Sequence, residues 1–104
     1  VSGGEFTGHV VTVLDGDTID VLHNSQPERI RLNGIDTPEK GQDYGRRAKQ
    51  FTEDLVDEKE VRVESLGTDE YGRTIGNVRL PDGLILNKEL VKAGLAWWLL
   101  PTLV

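Results

Sequence analysis

Residues 29–39 read R-I-R-L-N-G-I-D-T-P-E, and this stretch decides how the chain folds. Its first half alternates, with Ile30 and Leu32 on one face and Arg29 and Arg31 on the other, the period of a half-buried strand. Two guanidiniums therefore leave the same side of a sheet. Asn33-Gly34 then loosens the strand, and Pro38 removes a backbone donor and holds Thr37 extended. Asp36, Thr37 and Glu39 are left facing outward at a strand end, where a cation site, a fixed carboxylate and a pair of phosphate donors can converge.

Upstream, residues 6–14 are rich in valine and threonine and predict a first strand, turning at Asp15-Gly16 into a second over 18–22. Asn24-Ser25-Gln26-Pro27 predicts another turn, and a strand over 28–35 completes a three-stranded meander. Downstream, Lys40 to Gly45 is a polar loop. Ala48, Phe51, Leu55 and Val56 then fall at helical spacing within 44–56, with Arg46, Arg47 and Lys49 on the other side. Strands follow over 60–66 and 74–80, separated by a loop at 67–73, and Pro81-Asp82-Gly83 turns the chain again. Asn87 is expected to cap a second helix that buries Leu90 and Val91 and stops at Gly94. Five short strands interrupted by a helix predict an α+β domain, mainly β, built on a small barrel.

Composition bounds the possibilities. At 104 residues the chain holds one modest core, expected as a single domain over 1–104. Hydrophobic residues make up 37% and charged residues 29%, without an apolar run near 18 residues, which excludes a helical membrane span. No signal peptide is visible. Without cysteine there is no disulfide, thiolate metal site or cysteine nucleophile. A net charge of −6 argues against a generic nucleic-acid binder, an objection that weakens if carboxylates hold a cation. Val1-Ser2-Gly3-Gly4 reads as a trimmed, disordered start, and residues 99–104 as an atypical apolar tail.

Three groups of residues can carry chemistry. Asp17 in the first hairpin turn and Asp36 after the third strand are hard oxygen ligands of the kind Ca²⁺ takes, with the Thr37 carbonyl and waters completing the shell. The run D-G-D-T-I-D at 15–20 is not an EF-hand loop, so such a site must be assembled across strands; by itself D-G-D-T reads as a turn. Arg31 and Arg73 offer planar forks suited to the equatorial oxygens of a phosphodiester, although the common fate of arginine is an exposed strand or loop position. Glu39 is placed to hold or deprotonate a metal-ordered water; taken alone it is a loop glutamate.

Read together, these positions resemble the staphylococcal nuclease (thermonuclease) family. The matching strings, in order, are D-G-D-T at 15–18, R-L-N-G-I-D-T-P-E at 31–39, D-E-Y-G-R at 69–73 and L-V-K-A-G-L-A at 90–96. The resemblance implies an OB-type five-stranded barrel with two helices and calcium-dependent hydrolysis of DNA and RNA to 3′-phosphate and 5′-hydroxyl ends. In that pattern Asp17, Asp36 and the Thr37 carbonyl bind Ca²⁺, Glu39 activates water, and Arg31 and Arg73 hold the phosphate. Tyr71 contacts the nucleotide, with Lys40 and Arg46 adding positive charge. Single-stranded or frayed substrate is expected, because a shallow barrel face needs an accessible phosphodiester. Export or a cell-envelope location follows by resemblance only.

The sequence departs from the pattern in two places. Few residues separate Glu39 from Tyr44, where the staphylococcal enzyme has a longer lysine-bearing loop. Family members usually continue past the W-W region into a further helix, whereas here Leu99-Leu100-Pro101-Thr102-Leu103-Val104 follows, as a truncated end or a tail that docks elsewhere. A monomer is expected, with the apolar tail as a route to a dimer. Trp97 and Trp98 can stack bases, but at least one is expected in the core. His9 and His23 sit at ordinary strand positions, and Glu53, Asp54, Asp57, Glu58 and Glu60 read as a solvated helix end. The alternative is a non-catalytic barrel of the same family that binds nucleic acid or peptide; it has no need of Asp17, Arg31, Asp36, Glu39 and Arg73 together.

Overall fold

A computed structural model describes residues 4–39 and 41–99. The three-stranded meander forms as expected, from β1 (Gly4–Asp15), β2 (Thr18–His23) and β3 (Gln26–Leu32). Asn24 and Ser25 both take positive φ, the two-residue turn that matches strand twist. Pro27, expected in that turn, lies instead within β3. It pairs with Leu22 of β2, while β3 meets its other neighbour only over Ile30 to Leu32, so the missing donor is tolerated.

Helix α1 (Asp43–Val56) leads to β5 (Glu60–Thr68) and β6 (Thr74–Arg79), and the five strands close in the order β1-β2-β3-β6-β5. All pairings are antiparallel except β3 with β6. The mostly β, closed mixed barrel with two helices is an OB-type α+β fold. Closure depends on β1, whose first half pairs with β5 and whose second half pairs with β2 through bulged registers. Gly8 permits that crossing: a Cβ there would lie 1.9 Å from the Leu22 carbonyl oxygen. Alternation fills the interior with Val10, Ile19, Val21, Ile30, Leu32, Val61, Val63 and Val78.

The third strand is shorter than its alternation suggests. It stops at Leu32, the chain turns through Asn33-Gly34, and Ile35–Asp36 forms β4, paired with β7 (Trp97–Trp98). Asp36 therefore stands on a small second sheet rather than at the end of β3. In that sheet Trp97 faces Asp36 and Trp98 faces Ile35, and the indoles remain 49% and 48% exposed. The expectation that one tryptophan enters the core is overturned, because branched aliphatic residues already fill the barrel.

Asn87 is a second correction. Helix α2 (Leu86–Lys92) begins two residues earlier, with Ile85 as its N-cap, and Asn87 is buried inside it. Its amide accepts from the Val78 backbone N–H (3.2 Å) and donates to the Asn33 carbonyl (2.9 Å). Buried backbone groups gain partners this way, and the turn before Asp36 is pinned to β6. Gly4, expected in an unordered start, opens β1; residues 1–3 and 100–104 lie outside the described residues.

Helix α1 also fixes the first hairpin turn. A Cβ on Gly16 would sit 2.7 Å from the Ala48 Cβ and 3.0 Å from its carbonyl carbon, while the buried Thr52 hydroxyl donates to the Gly16 carbonyl at 2.7 Å. Glycine is required because helix and turn touch backbone to backbone. Gly16→Ala is expected to lower unfolding free energy by about 1–3 kcal/mol, read from urea titration.

Candidate functional site

Asp17, docked by that turn, is nearly buried and faces β3. Its carboxylate accepts from the Thr18 hydroxyl at 3.0 Å, and its carbonyl accepts from the Leu32 N–H at 2.9 Å. Thr18 and Arg31 are register partners across β2 and β3, which brings Arg31 beside the turn. Its guanidinium lies 3.3 Å from Asp17 Oδ2 and 3.4 Å from Asp36 Oδ1, and Nη1 donates to the Leu32 carbonyl at 3.0 Å. One guanidinium thus joins two carboxylates from separate elements.

Asp36 Oδ1 also accepts from the Thr37 N–H at 3.0 Å. Beyond it, Thr37 is buried and Glu39 is exposed, with the Glu39 carbonyl accepting from the Gln42 N–H at the entry to α1. Arg73 approaches from the loop between β5 and β6. Its Nε donates to Asp69 Oδ2 at 2.7 Å, and Asp69 Oδ1 accepts from the backbone N–H groups of Tyr71 and Arg73. One carboxylate thereby folds the loop and aims the guanidinium. Asp69 is a functional residue that sequence reasoning misses, although an aspartate two residues before a turn residue is a recognisable local acceptor.

Asp15, Asp17, Arg31, Asp36, Thr37, Glu39 and Arg73 line one concavity of about 430 Å³. The expected acids and guanidiniums thus converge. Arg46 lies off its wall, exposed and paired with Asp43 and the Gly41 carbonyl. Lys40 lies outside the described residues. Tyr71 is 74% exposed, with the Arg73 guanidinium carbon 5.3 Å from its ring centroid. Neither histidine joins the site: His23 stacks on Phe6 and pairs with Glu28 at 2.7 Å, and His9 is exposed on β1. In the acidic stretch, Glu53 pairs with Lys49 and Asp54 accepts from Gln50, as on a solvated helix face.

Among the described residues no three His, Cys, Asp or Glu side chains form a metal-holding group. A hard cation here would take two carboxylates, Asp17 and Asp36, with backbone carbonyl and water, a donor set that suits Ca²⁺. The residues fit in charge as well, since both carboxylates already gather around a positive group, Arg31.

Desolvation opposes ionisation of Asp69, but the backbone N–H groups of Arg73 and Tyr71 and the Arg73 guanidinium outweigh it and hold its carboxyl below the ordinary aspartate range. Because the folded pKa is the lower one, ionised Asp69 stabilises the fold fully above the unfolded value of about 3.9. That contribution is lost as pH falls through the folded pKa. A carbon-detected NMR titration is expected to place the Asp69 midpoint below the unfolded value, and Asp69→Asn to flatten this part of the acid limb of stability.

A closed mixed barrel carrying acids and guanidiniums around one concavity defines a class of small, charged-site OB barrels. Sequence comparison makes the class specific: a family profile described as Staphylococcal nuclease homologue matches residues 29–101, and the chain belongs to that family. An "Uncharacterized endonuclease" of Escherichia coli O157:H7 is 50% identical over 90 residues, covering 86% of this chain and 59% of that protein. A "Micrococcal nuclease" of Shigella flexneri is 46% identical over 101 residues (89% and 58%), and a "Thermonuclease" of Staphylococcus intermedius 42% over 95 (84% and 56%). The chain therefore spans under two thirds of the length of these relatives.

Proposed function

We propose that the chain is a calcium-dependent nuclease that hydrolyses DNA and RNA phosphodiesters, preferring single strands and leaving 3′-phosphate and 5′-hydroxyl ends. The observation that carries this reading is the convergence of Asp17, Arg31, Asp36, Glu39 and Arg73 on one concavity. The names of the nuclease relatives support it. No helix is long and apolar enough to cross a membrane among the described residues.

Asp17, Asp36 and the Thr37 carbonyl would hold the calcium, which when bound supplies positive charge for the phosphoryl oxygens. Arg31 and Arg73 grip the equatorial oxygens, where charge accumulates as water adds to phosphorus. Each fork is worth on the order of 3–4 kcal/mol of barrier. Glu39 takes the proton of the attacking water, and the bond from phosphorus to the 5′ oxygen breaks, with that oxygen taking a proton from solvent as it leaves. Asp69 orients Arg73, and the Gly16 turn holds Asp17.

The direct test is cleavage of a labelled single-stranded oligonucleotide with Ca²⁺ and with a chelator. Cleavage only with Ca²⁺ is expected; none in either condition would leave a binding module. Asp36→Ala is expected to weaken calcium binding by tenfold or more in calorimetry, because one of two side-chain ligands is lost. Unchanged affinity would remove Asp36 from the ligand set.

A further inference from the structure

Arg29 leaves β3 on the same face as Arg31, two residues away and so roughly 6.6 Å along the strand. The catalytic reading uses Arg31 and leaves Arg29 without a task. Arg29 opens onto a second concavity of about 740 Å³, lined by Asp20, Pro27, Arg29, Tyr71, Gly72 and Arg73. Arg73 also lines the acid-and-arginine site, so the two concavities meet at one guanidinium.

Asp20, the register partner of Arg29 on β2, accepts from its Nε (3.0 Å) and from one terminal nitrogen (3.2 Å). The fork is oriented by this pair, and its other terminal nitrogen, without a partner among the described residues, is left for an outside acceptor. Across the groove, Tyr71 presents an exposed ring backed by Arg73, on a loop whose shape Asp69 sets. A fixed guanidinium and an aromatic shelf are the two devices by which proteins hold single-stranded nucleic acid without reading its sequence.

We infer that Arg29 binds the phosphate flanking the scissile bond in this second groove, extending the nucleotide contact that the resemblance already implies for Tyr71. The inference rests on the proposed nuclease reading of the neighbouring site. It makes Arg29 a residue that binds extended substrate and sets its register. Because Asp20 neutralises part of the charge, the subsite rewards a correctly placed phosphate more than it attracts any polyanion, consistent with a chain of net charge −6.

The test compares wild type with Arg29→Gln, after urea titration has shown that both fold. In chelator, fluorescence anisotropy with a labelled single-stranded tetranucleotide gives the dependence of log Kd on log salt. The slope is expected to shrink by about 0.7 in the variant, the share of one phosphate on a single strand. With Ca²⁺, the ratio of kcat/KM on the tetranucleotide to that on a dinucleoside monophosphate, which lacks the flanking phosphate, is expected to fall about tenfold. Arg29→Lys should restore part of the slope, and Asp20→Asn should retain it. An unchanged slope and ratio would overturn the subsite while leaving the nuclease intact. If wild type cleaves nothing, the nuclease reading fails, and the salt slope still decides whether Arg29 meets a phosphate.

Discussion

Glu39→Gln slows turnover by about 10²–10⁴-fold while single-strand affinity stays close to that of wild type. The expectation comes from position and exposure together. Glu39 lines the concavity with both guanidiniums, yet it is exposed, and among the described residues its one hydrogen bond is the one its carbonyl accepts from the Gln42 N–H. Glutamine keeps the size and the carbonyl bond but cannot accept the water's proton. A loss confined to kcat, with unfolding free energy unchanged, identifies the base. An unchanged rate removes Glu39 from the mechanism, and a matching loss of affinity makes it a binding group instead.

What the sequence made legible here is what depends on local period. Alternation at 29–32 placed Arg31 on an outward face, and D-G-D-T announced a turn that holds Asp17 against it. Less legible were features made by pairing across long separations. β4 has its partner sixty residues away, so nothing near Asp36 announces a second sheet, or that Trp97 lies opposite it. Asn87 carries a capping residue's signature but spends its amide on Val78 and Asn33, which only the closed barrel brings within reach. The tryptophans followed the same logic: burial preference is a statement about available volume, and the barrel's valines and isoleucines had already taken it. Charge near a motif is all that marks Lys40 and Arg46 in the sequence. Arg46 turned out to be engaged with Asp43 at the start of α1, the local pairing that helix geometry favours at that spacing.

Arg31→Gln is expected to move two quantities in opposite directions: turnover falls by about 10²–10³-fold, and calcium binds about tenfold more tightly. The first effect is the loss of a fork on the phosphate. The second follows from where the guanidinium rests, 3.3 Å from Asp17 and 3.4 Å from Asp36, as a positive charge shared by the two carboxylates that would hold the ion. A cation entering there meets a group that repels it and occupies its ligands, so removing that group raises affinity even as it slows hydrolysis. The side chain is mostly buried while Asp36 remains accessible, so the repulsion is only partly screened by solvent. A general disruption of the site would weaken both, which is why the sign of the calorimetric change decides. Weaker calcium binding in Arg31→Gln, with the fold intact by urea titration, would mean that the guanidinium orders Asp17 and Asp36 for the ion rather than competing with it.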